Sequence, residues 1–101
     1  MEPIITNEFP KQPREIKWLA VSFAEILAAY SDAARAVDPI ELAPAPSGIV
    51  IDDHEFDPVS GLLQILVSGG TDGIKYVLTM WMHTESGQKL EHEITVKVKE
   101  S

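Results

Sequence analysis

Two neighbouring stretches near the C terminus constrain the fold most, because both alternate between apolar and polar residues. Alternation with a period of two places every second side chain on one face of a β-strand. In Ile74–Thr84, one face carries Tyr76, Leu78, Met80 and Met82. In Lys89–Lys99, one face carries Leu90, His92, Ile94, Val96 and Val98. The segment between them, Glu85–Gln88, contains a glycine, so the two stretches are predicted to form an antiparallel hairpin.

The remaining chain consists of short apolar stretches separated by turn residues. Strands are predicted over Ile16–Phe23, Gly48–Phe56 and Leu62–Ser68, an irregular or edge strand over Ala33–Leu42, and a short helix or turn over Ala24–Tyr30. Asp57–Gly61 and Gly69–Gly73 have the proline and glycine content of tight turns. About seven short strands with this spacing predict an all-β antiparallel sandwich of the immunoglobulin or fibronectin type III kind. Cysteine is absent, which excludes a disulfide-bridged immunoglobulin domain.

The first fifteen residues are predicted to form an extended N-terminal arm, and residues 16–101 the sandwich. Three prolines interrupt regular structure in the arm, since each lacks an N–H donor and restricts its predecessor. The large apolar side chains in the arm are Ile4, Ile5 and Phe9, which are therefore candidate contacts with a neighbouring protein. The alternative is a frayed terminus. If the arm is separate, removal of residues 1–14 should leave the fold intact.

Charge and length limit the classes of partner. The 101 residues include 8 basic and 16 acidic side chains, a net charge of −8. This balance argues against nucleic-acid binding, in which lysine and arginine neutralise phosphates. Eight of the acids lie between Glu25 and Asp57, where Arg35 is the one base. The chain contains no apolar run near the ~20 residues of a membrane span, so no membrane partner is expected.

The polar clusters do not have the spacing of a catalytic or metal site. Asp52–Asp57 holds several acids and a histidine, but a strand would send these side chains to opposite faces, and an EF-hand needs a different spacing. His83 and His92, on the two hairpin strands, are predicted to point to different faces. Ser68–Gly73 is followed by a strand, whereas a phosphate loop is followed by a helix. We therefore expect no enzyme activity, no metal and no cofactor.

Trp81 is a further candidate for protein contact. It lies on the more polar face of the predicted strand Ile74–Thr84, beside Val77. An exposed tryptophan is a good interface anchor, because tryptophan is enriched among the residues that carry binding energy. The alternative is that a loop or the N-terminal strand covers this face.

The order of these features resembles a group of small virion proteins of tailed bacteriophages, the fiber-tail adaptor type. The resemblance begins with Lys11-x-Pro13 and the strand Ile16–Phe23, and continues through Ala24–Ala28 and the irregular Asp32–Leu42. Its most telling part is Leu62–Val98, which contains a strand, a Ser-Gly-Gly-x-x-Gly turn, a tyrosine strand and a final alternating strand. It implies an immunoglobulin-like structural protein of a phage tail or neck, with no catalytic residues.

Two functions follow from these observations. The first is a non-enzymatic adaptor that joins tail or neck components to fibres through contacts with other virion proteins in a symmetric assembly. The alternative is a carbohydrate- or cell-surface-binding module, in which an aromatic side chain such as Trp81 stacks on sugar rings and Asp52–Asp57 holds Ca²⁺.

Overall fold

The fold is an all-β sandwich of two sheets, seen in a computed structural model that describes residues 8–100. The elements are β1 (Glu8–Lys11), β2 (Lys17–Ser22), α1 (Ala24–Ala29), β3 (Ile40–Leu42), β4 (Ile49–Asp57), β5 (Leu62–Gly69), β6 (Lys75–His83) and β7 (Lys89–Val98). Sheet A has the strand order β1-β7-β6-β3, and sheet B has the order β2-β5-β4. All neighbouring strands are antiparallel except β1 and β7. The predicted seven-stranded sandwich is confirmed.

The core lies between the two sheets and is built from the predicted alternating faces. Sheet A contributes Tyr76, Leu78, Met80, Met82, Ile94, Val96 and Val98, all of them buried. Sheet B contributes Leu19, Val21, Ile49, Leu63, Ile65 and Val67, also buried. Each large apolar side chain removed from water stabilises the fold by about 1.5–3 kcal/mol. The β6–β7 hairpin is confirmed, with Tyr76 opposite Val96 and Met80 opposite His92.

The first strand corrects the sequence prediction. β1 pairs in parallel with β7, so that Glu8 lies opposite Thr95 and Lys11 opposite Val98. The prediction that the core strands begin near Ile16 is therefore wrong for Glu8–Lys11. Proline is tolerated here because β1 is an edge strand. Residues 1–7, which include Ile4 and Ile5, lie outside the described part of the chain.

The side chain of Lys11 links β1 to the rest of the sandwich by hydrogen bonds. Its side chain is buried, with 2% of the residue exposed. Its Nζ donates to the carbonyl oxygens of Gly69 at 2.6 Å and Gln12 at 2.9 Å. Burial lowers the pKa of Lys11. These carbonyl oxygens satisfy a donor that would be costly to bury unpaired.

The predicted edge strand Ala33–Leu42 forms only in part. β3 has three residues, Ile40–Leu42, and Ala34 makes an isolated bridge to Thr84. The chain between them is irregular because it contains Pro39, and Asp38 has a φ of +45° that a strand residue does not adopt. The predicted short helix is confirmed as α1, which has six residues. No helix within residues 8–100 is long and apolar enough to cross a membrane.

The glycine-rich segment after β5 is a turn between two strands, as predicted. Gly70 has a φ of +101°, and a Cβ placed there would lie 2.7 Å from Cγ2 of Val98. Glycine is therefore required both by the backbone conformation and by close packing against β7. The next element is strand β6, so the segment lacks the helix that a phosphate loop needs.

Candidate interaction surface

Trp81 lies on the outer face of sheet A, half-buried in a polar network. In the strand register it stands between Glu41 of β3 and Glu91 of β7. Its indole Nε1 donates to Oε1 of Glu91 at 3.1 Å. Nζ of Lys89 lies 4.6 Å from the centre of the Trp81 ring, a cation–π contact. Trp81 is thus partly covered by its polar neighbours. β1 does not cover it, because β1 lies at the far edge of sheet A.

The network continues to the edge of sheet A through Glu41. Its carboxylate lies 3.1 Å from Nε2 of His83 and 3.2 Å from Nζ of Lys89. Hydrogen bonds from His83 and Lys89 lower the pKa of Glu41. His83 therefore lies on the outer face, as predicted, and its nearby carboxylate belongs to the short strand β3.

A second tryptophan lies on the outer face of sheet B and is more open. Trp18 in β2 is 45% exposed, and its indole makes no hydrogen bond to the residues that the structure describes. It stands opposite Leu66 of β5, which is half-buried. Val50 of β4, on the same face, is 51% exposed. These three side chains, with the exposed Ile16 just before β2, are here called the Trp18 face.

Trp18 lies in a strand that was predicted from the sequence, but it was not among the predicted contact residues. The signal was present, because Leu19, Val21 and Phe23 alternate as core residues and leave Trp18 on the opposite face. An apolar patch around a tryptophan is typical of a protein interaction site.

The other predicted contact residues occupy different surroundings. Phe9 stands opposite Val96 in the β1–β7 pair and packs against the core of its own sandwich. Ile4 and Ile5 remain contact candidates outside the described residues. The structure does not bring Phe9 and Trp81 together, since β1 and β3 are opposite edges of sheet A and Trp81 lies beside β3.

The acidic cluster Asp52–Asp57 lies along β4, an edge of sheet B. A bulge between Ile51 and Asp53 shifts the register with β5. Within residues 8–100, no group of three or more histidine, aspartate or glutamate side chains is placed to hold a metal ion. The Asp57 carboxylate accepts hydrogen bonds from the Val59 N–H and the Ser60 hydroxyl, which lower its pKa and close the following turn.

His92 is buried between the sheets, as its place in the alternation predicts. It is 9% exposed, and its ring centre lies 5.4 Å from that of Phe23. Its Nε2 is buried with no hydrogen-bond partner among the described residues, and burial lowers the pKa of the imidazole. A neutral, single histidine in this position is a packing residue and lies apart from His83.

The structure is a small all-β sandwich with an exposed tryptophan on the outer face of sheet B. A family model described as Podophage GP4 fiber-tail adaptor protein gp77 matches residues 11–97. The chain therefore belongs to this family, and it is a structural protein of the virion tail. The resemblance to fiber-tail adaptors inferred from the sequence is confirmed.

Two further comparisons do not indicate a function for this chain. Curated proteins yield no match. Among solved structures, the chain is similar to a Photobacterium sp. JT-ISH-224 2,6-sialyltransferase in complex with CMP and lactose, with 14% identity and a TM-score of 0.38. That match covers 98% of this chain and 19% of the sialyltransferase chain. A likeness this weak supports no conclusion about fold or activity.

Proposed function

We propose that this chain is a non-enzymatic adaptor that joins tail or neck components to fibres through contacts with other virion proteins. Membership of the fiber-tail adaptor family supports this role. The single structural observation that carries it is the Trp18 face, where large apolar side chains lie on the outside of sheet B. A partner that covered this face would remove that apolar surface from water.

Two features make the Trp18 face a better docking surface than the outer face of sheet A. Trp18 has no internal hydrogen bond to lose, whereas the Trp81 indole is bonded to Glu91 and lies under Lys89. Trp18 also stands in a six-residue strand that pairs along its whole length with β5. A rigid aromatic group loses little conformational freedom when a partner covers it. Trp81, Ile4 and Ile5 would contribute secondary contacts.

The test is to produce virions from a phage genome from which the gene for this chain has been deleted. We expect particles whose tails lack fibres, and we expect wild-type protein supplied in trans to restore them. Fibre content is measured by electron microscopy and by quantitative mass spectrometry of purified particles. Particles that keep a normal complement of fibres without this chain would contradict the adaptor role.

A glycan-binding screen separates the adaptor from the carbohydrate-binding alternative. The purified chain is applied to a glycan array in the presence of Ca²⁺ and again with EDTA. The adaptor role predicts no Ca²⁺-dependent signal. Specific glycan binding, together with normal fibre attachment in the deletion particles, would favour the alternative function.

A further inference from the structure

Half of the eight basic side chains line one lateral side of the sandwich, although the chain as a whole is acidic. A cavity of about 470 Å³ lies beside β1 and the start of β2. Its lining includes four lysines and one glutamate: Lys11, Lys17, Lys97, Lys99 and Glu15. Lys17 and Lys99 make no ion pair with the described residues, and Lys97 approaches Glu8 only to 3.9 Å. This cavity is here called the basic groove.

The opposite lateral side is acidic. β4 carries Asp52, Asp53, Glu55 and Asp57, and none of these carboxylates has an ion-pair partner within residues 8–100. Residues 49–54 of β4 line a cavity of about 400 Å³ together with Leu42, Ala43 and Ala45. This side is here called the acidic margin.

The strand order places the groove and the margin on opposite sides of the molecule. β1 and β3 are the two edges of sheet A, and β2 and β4 are the two edges of sheet B. Nζ of Lys17 donates to the Pro10 carbonyl oxygen at 3.0 Å, which joins the β1 and β2 edges at the groove. At the other side, residues of β3 and β4 together line two cavities. The sandwich therefore has a positive side and a negative side, each with unneutralised charge.

We propose that the basic groove of one copy docks on the acidic margin of a second copy, which makes a head-to-tail contact between identical chains. Unlike a two-fold contact, such a contact leaves one free groove and one free margin in every open complex. Repetition then produces a ring if the rotation closes and a filament if it does not. This inference goes beyond the adaptor role and does not depend on it.

The contact uses side chains and does not extend a sheet. The outer edge of β1 lacks an N–H at Pro10, and the Pro10 carbonyl is already bonded to Lys17. Proline and charge are features that prevent an edge strand from pairing with another strand. The net charge of −8 opposes association at long range, but at ~0.1 M salt this repulsion is screened beyond about 10 Å. Opposite charges in direct contact are screened less.

The experiment is sedimentation velocity of the purified full chain over a concentration series at ~0.1 M NaCl. The groove variant is Lys97→Glu with Lys99→Glu. The margin variant is Asp52→Lys with Glu55→Lys, chosen because neither carboxylate bonds to a described residue. Glu93→Lys is a charge-reversal control on the broad outer face of sheet A. Circular dichroism melting verifies that each variant is folded.

We expect the wild-type chain to associate, and each double variant to associate at least about tenfold more weakly, because attractive contacts become repulsive. An equimolar mixture of the groove and margin variants should regain association, since every contact again joins opposite charges. Both variants keep a net negative charge, so bulk attraction cannot explain that rescue. The Glu93→Lys control should behave like the wild type.

A wild-type chain that stays monomeric up to about 0.5 mM would overturn the inference, as would association that neither variant weakens. If the chain is monomeric but the groove variant is lost from particles, the groove binds an acidic segment of a different virion protein. That result would also overturn the second-copy contact while leaving the adaptor role intact. Fibre loss from deletion particles tests the adaptor role separately.

Discussion

The two sheets of this sandwich hold their outer side chains in different ways. On sheet A, Trp81 is bonded to Glu91 and covered by Lys89, and Lys89 is in turn paired with Glu41. On sheet B, Trp18 is 45% exposed and makes no hydrogen bond with the described residues. One tryptophan is held within the protomer, and the other is free to contact a partner.

The difference shows that a tryptophan on an outer face is not by itself an interface anchor. A polar network around an aromatic ring contributes to the stability of its own sheet, and a partner would have to displace it. An exposed ring on a rigid strand, such as that of Trp18, has no polar contacts that a partner must displace. The edges of sheet A are fastened by polar contacts as well, through Lys11 in β1 and Glu41 in β3.

The largest expected effect concerns the β1 edge of sheet A. Deletion of residues 1–14 removes Phe9 from the core and Lys11 from its carbonyl oxygens. We expect the free energy of unfolding to fall by at least about 3 kcal/mol, from lost apolar burial and lost charged hydrogen bonds. Urea denaturation measures this change, and deletion of residues 1–7, which keeps β1 whole, is the control. Equal stability of the two truncated chains would show that β1 does not contribute to the sandwich.

The Trp18 face is tested by competition for assembly. When wild-type and Trp18→Ala chains are expressed at equal levels, we expect the variant to be at least about tenfold under-represented in particles. Loss of an interface anchor costs about 2 kcal/mol or more of binding free energy. Quantitative mass spectrometry of purified particles gives the ratio. Trp81→Ala is the matched control, and an equal loss of both variants would remove the distinction between the two faces.

The pH dependence of the folding stability tests the burial of His92 between the two sheets. Burial lowers its pKa in the folded protein, so the unfolded chain binds more protons below the unfolded pKa of about 6.5. Stability should therefore be full above pH ~6.5 and fall as the pH drops towards the lowered pKa, by at most about 1.4 kcal/mol per pH unit. Urea denaturation at pH 7.5 and 5.5 measures the effect.

The matched variants for this pH effect are His92→Leu and His54→Leu. His92→Leu should reduce the loss of stability between the two pH values, because the buried titrating group is gone. His54 is exposed at the edge of sheet B, so His54→Leu should keep the wild-type loss. A His92→Leu chain that loses as much stability as the wild type would contradict the role of burial.

The smallest effect belongs to the polar network of sheet A. A double-mutant cycle of Trp81→Ala and Lys89→Ala should give a coupling free energy of about 0.5–1 kcal/mol, the usual range for an exposed cation–π pair. Thermal or urea unfolding of the four chains supplies the cycle. Zero coupling would mean that Lys89 does not hold the Trp81 ring, and the contrast between the two faces would be weaker.

The sequence was most informative where alternation is long and regular. Ile74–Thr84 and Lys89–Lys99 predicted both strands, their core faces and the position of His92. β1 was missed because it is short, contains Pro10, and depends on β7, which is distant in sequence. A lysine is not expected in a core, and the carbonyl oxygens that receive Lys11 become visible only in the folded chain.

The candidate surface was harder to predict than the core. Trp81 and Trp18 both stand on outward-facing positions, so periodicity cannot rank them. Their difference depends on cross-strand neighbours, which are set by register: Glu41 and Glu91 flank Trp81, whereas Leu66 stands opposite Trp18. Ala33–Leu42 was predicted as one strand, but Pro39 and the conformation of Asp38 leave only Ile40–Leu42 paired.

The most direct test of the Trp18 face is hydroxyl-radical footprinting of the chain in assembled virions and as free protein. The two tryptophans serve as each other's reference, because both are read from the same chain by mass spectrometry. We expect oxidation of Trp18 to fall at least about fivefold on assembly, as for a residue buried at an interface core, while oxidation of Trp81 changes much less. Equal oxidation of Trp18 in virions and in free protein would contradict it.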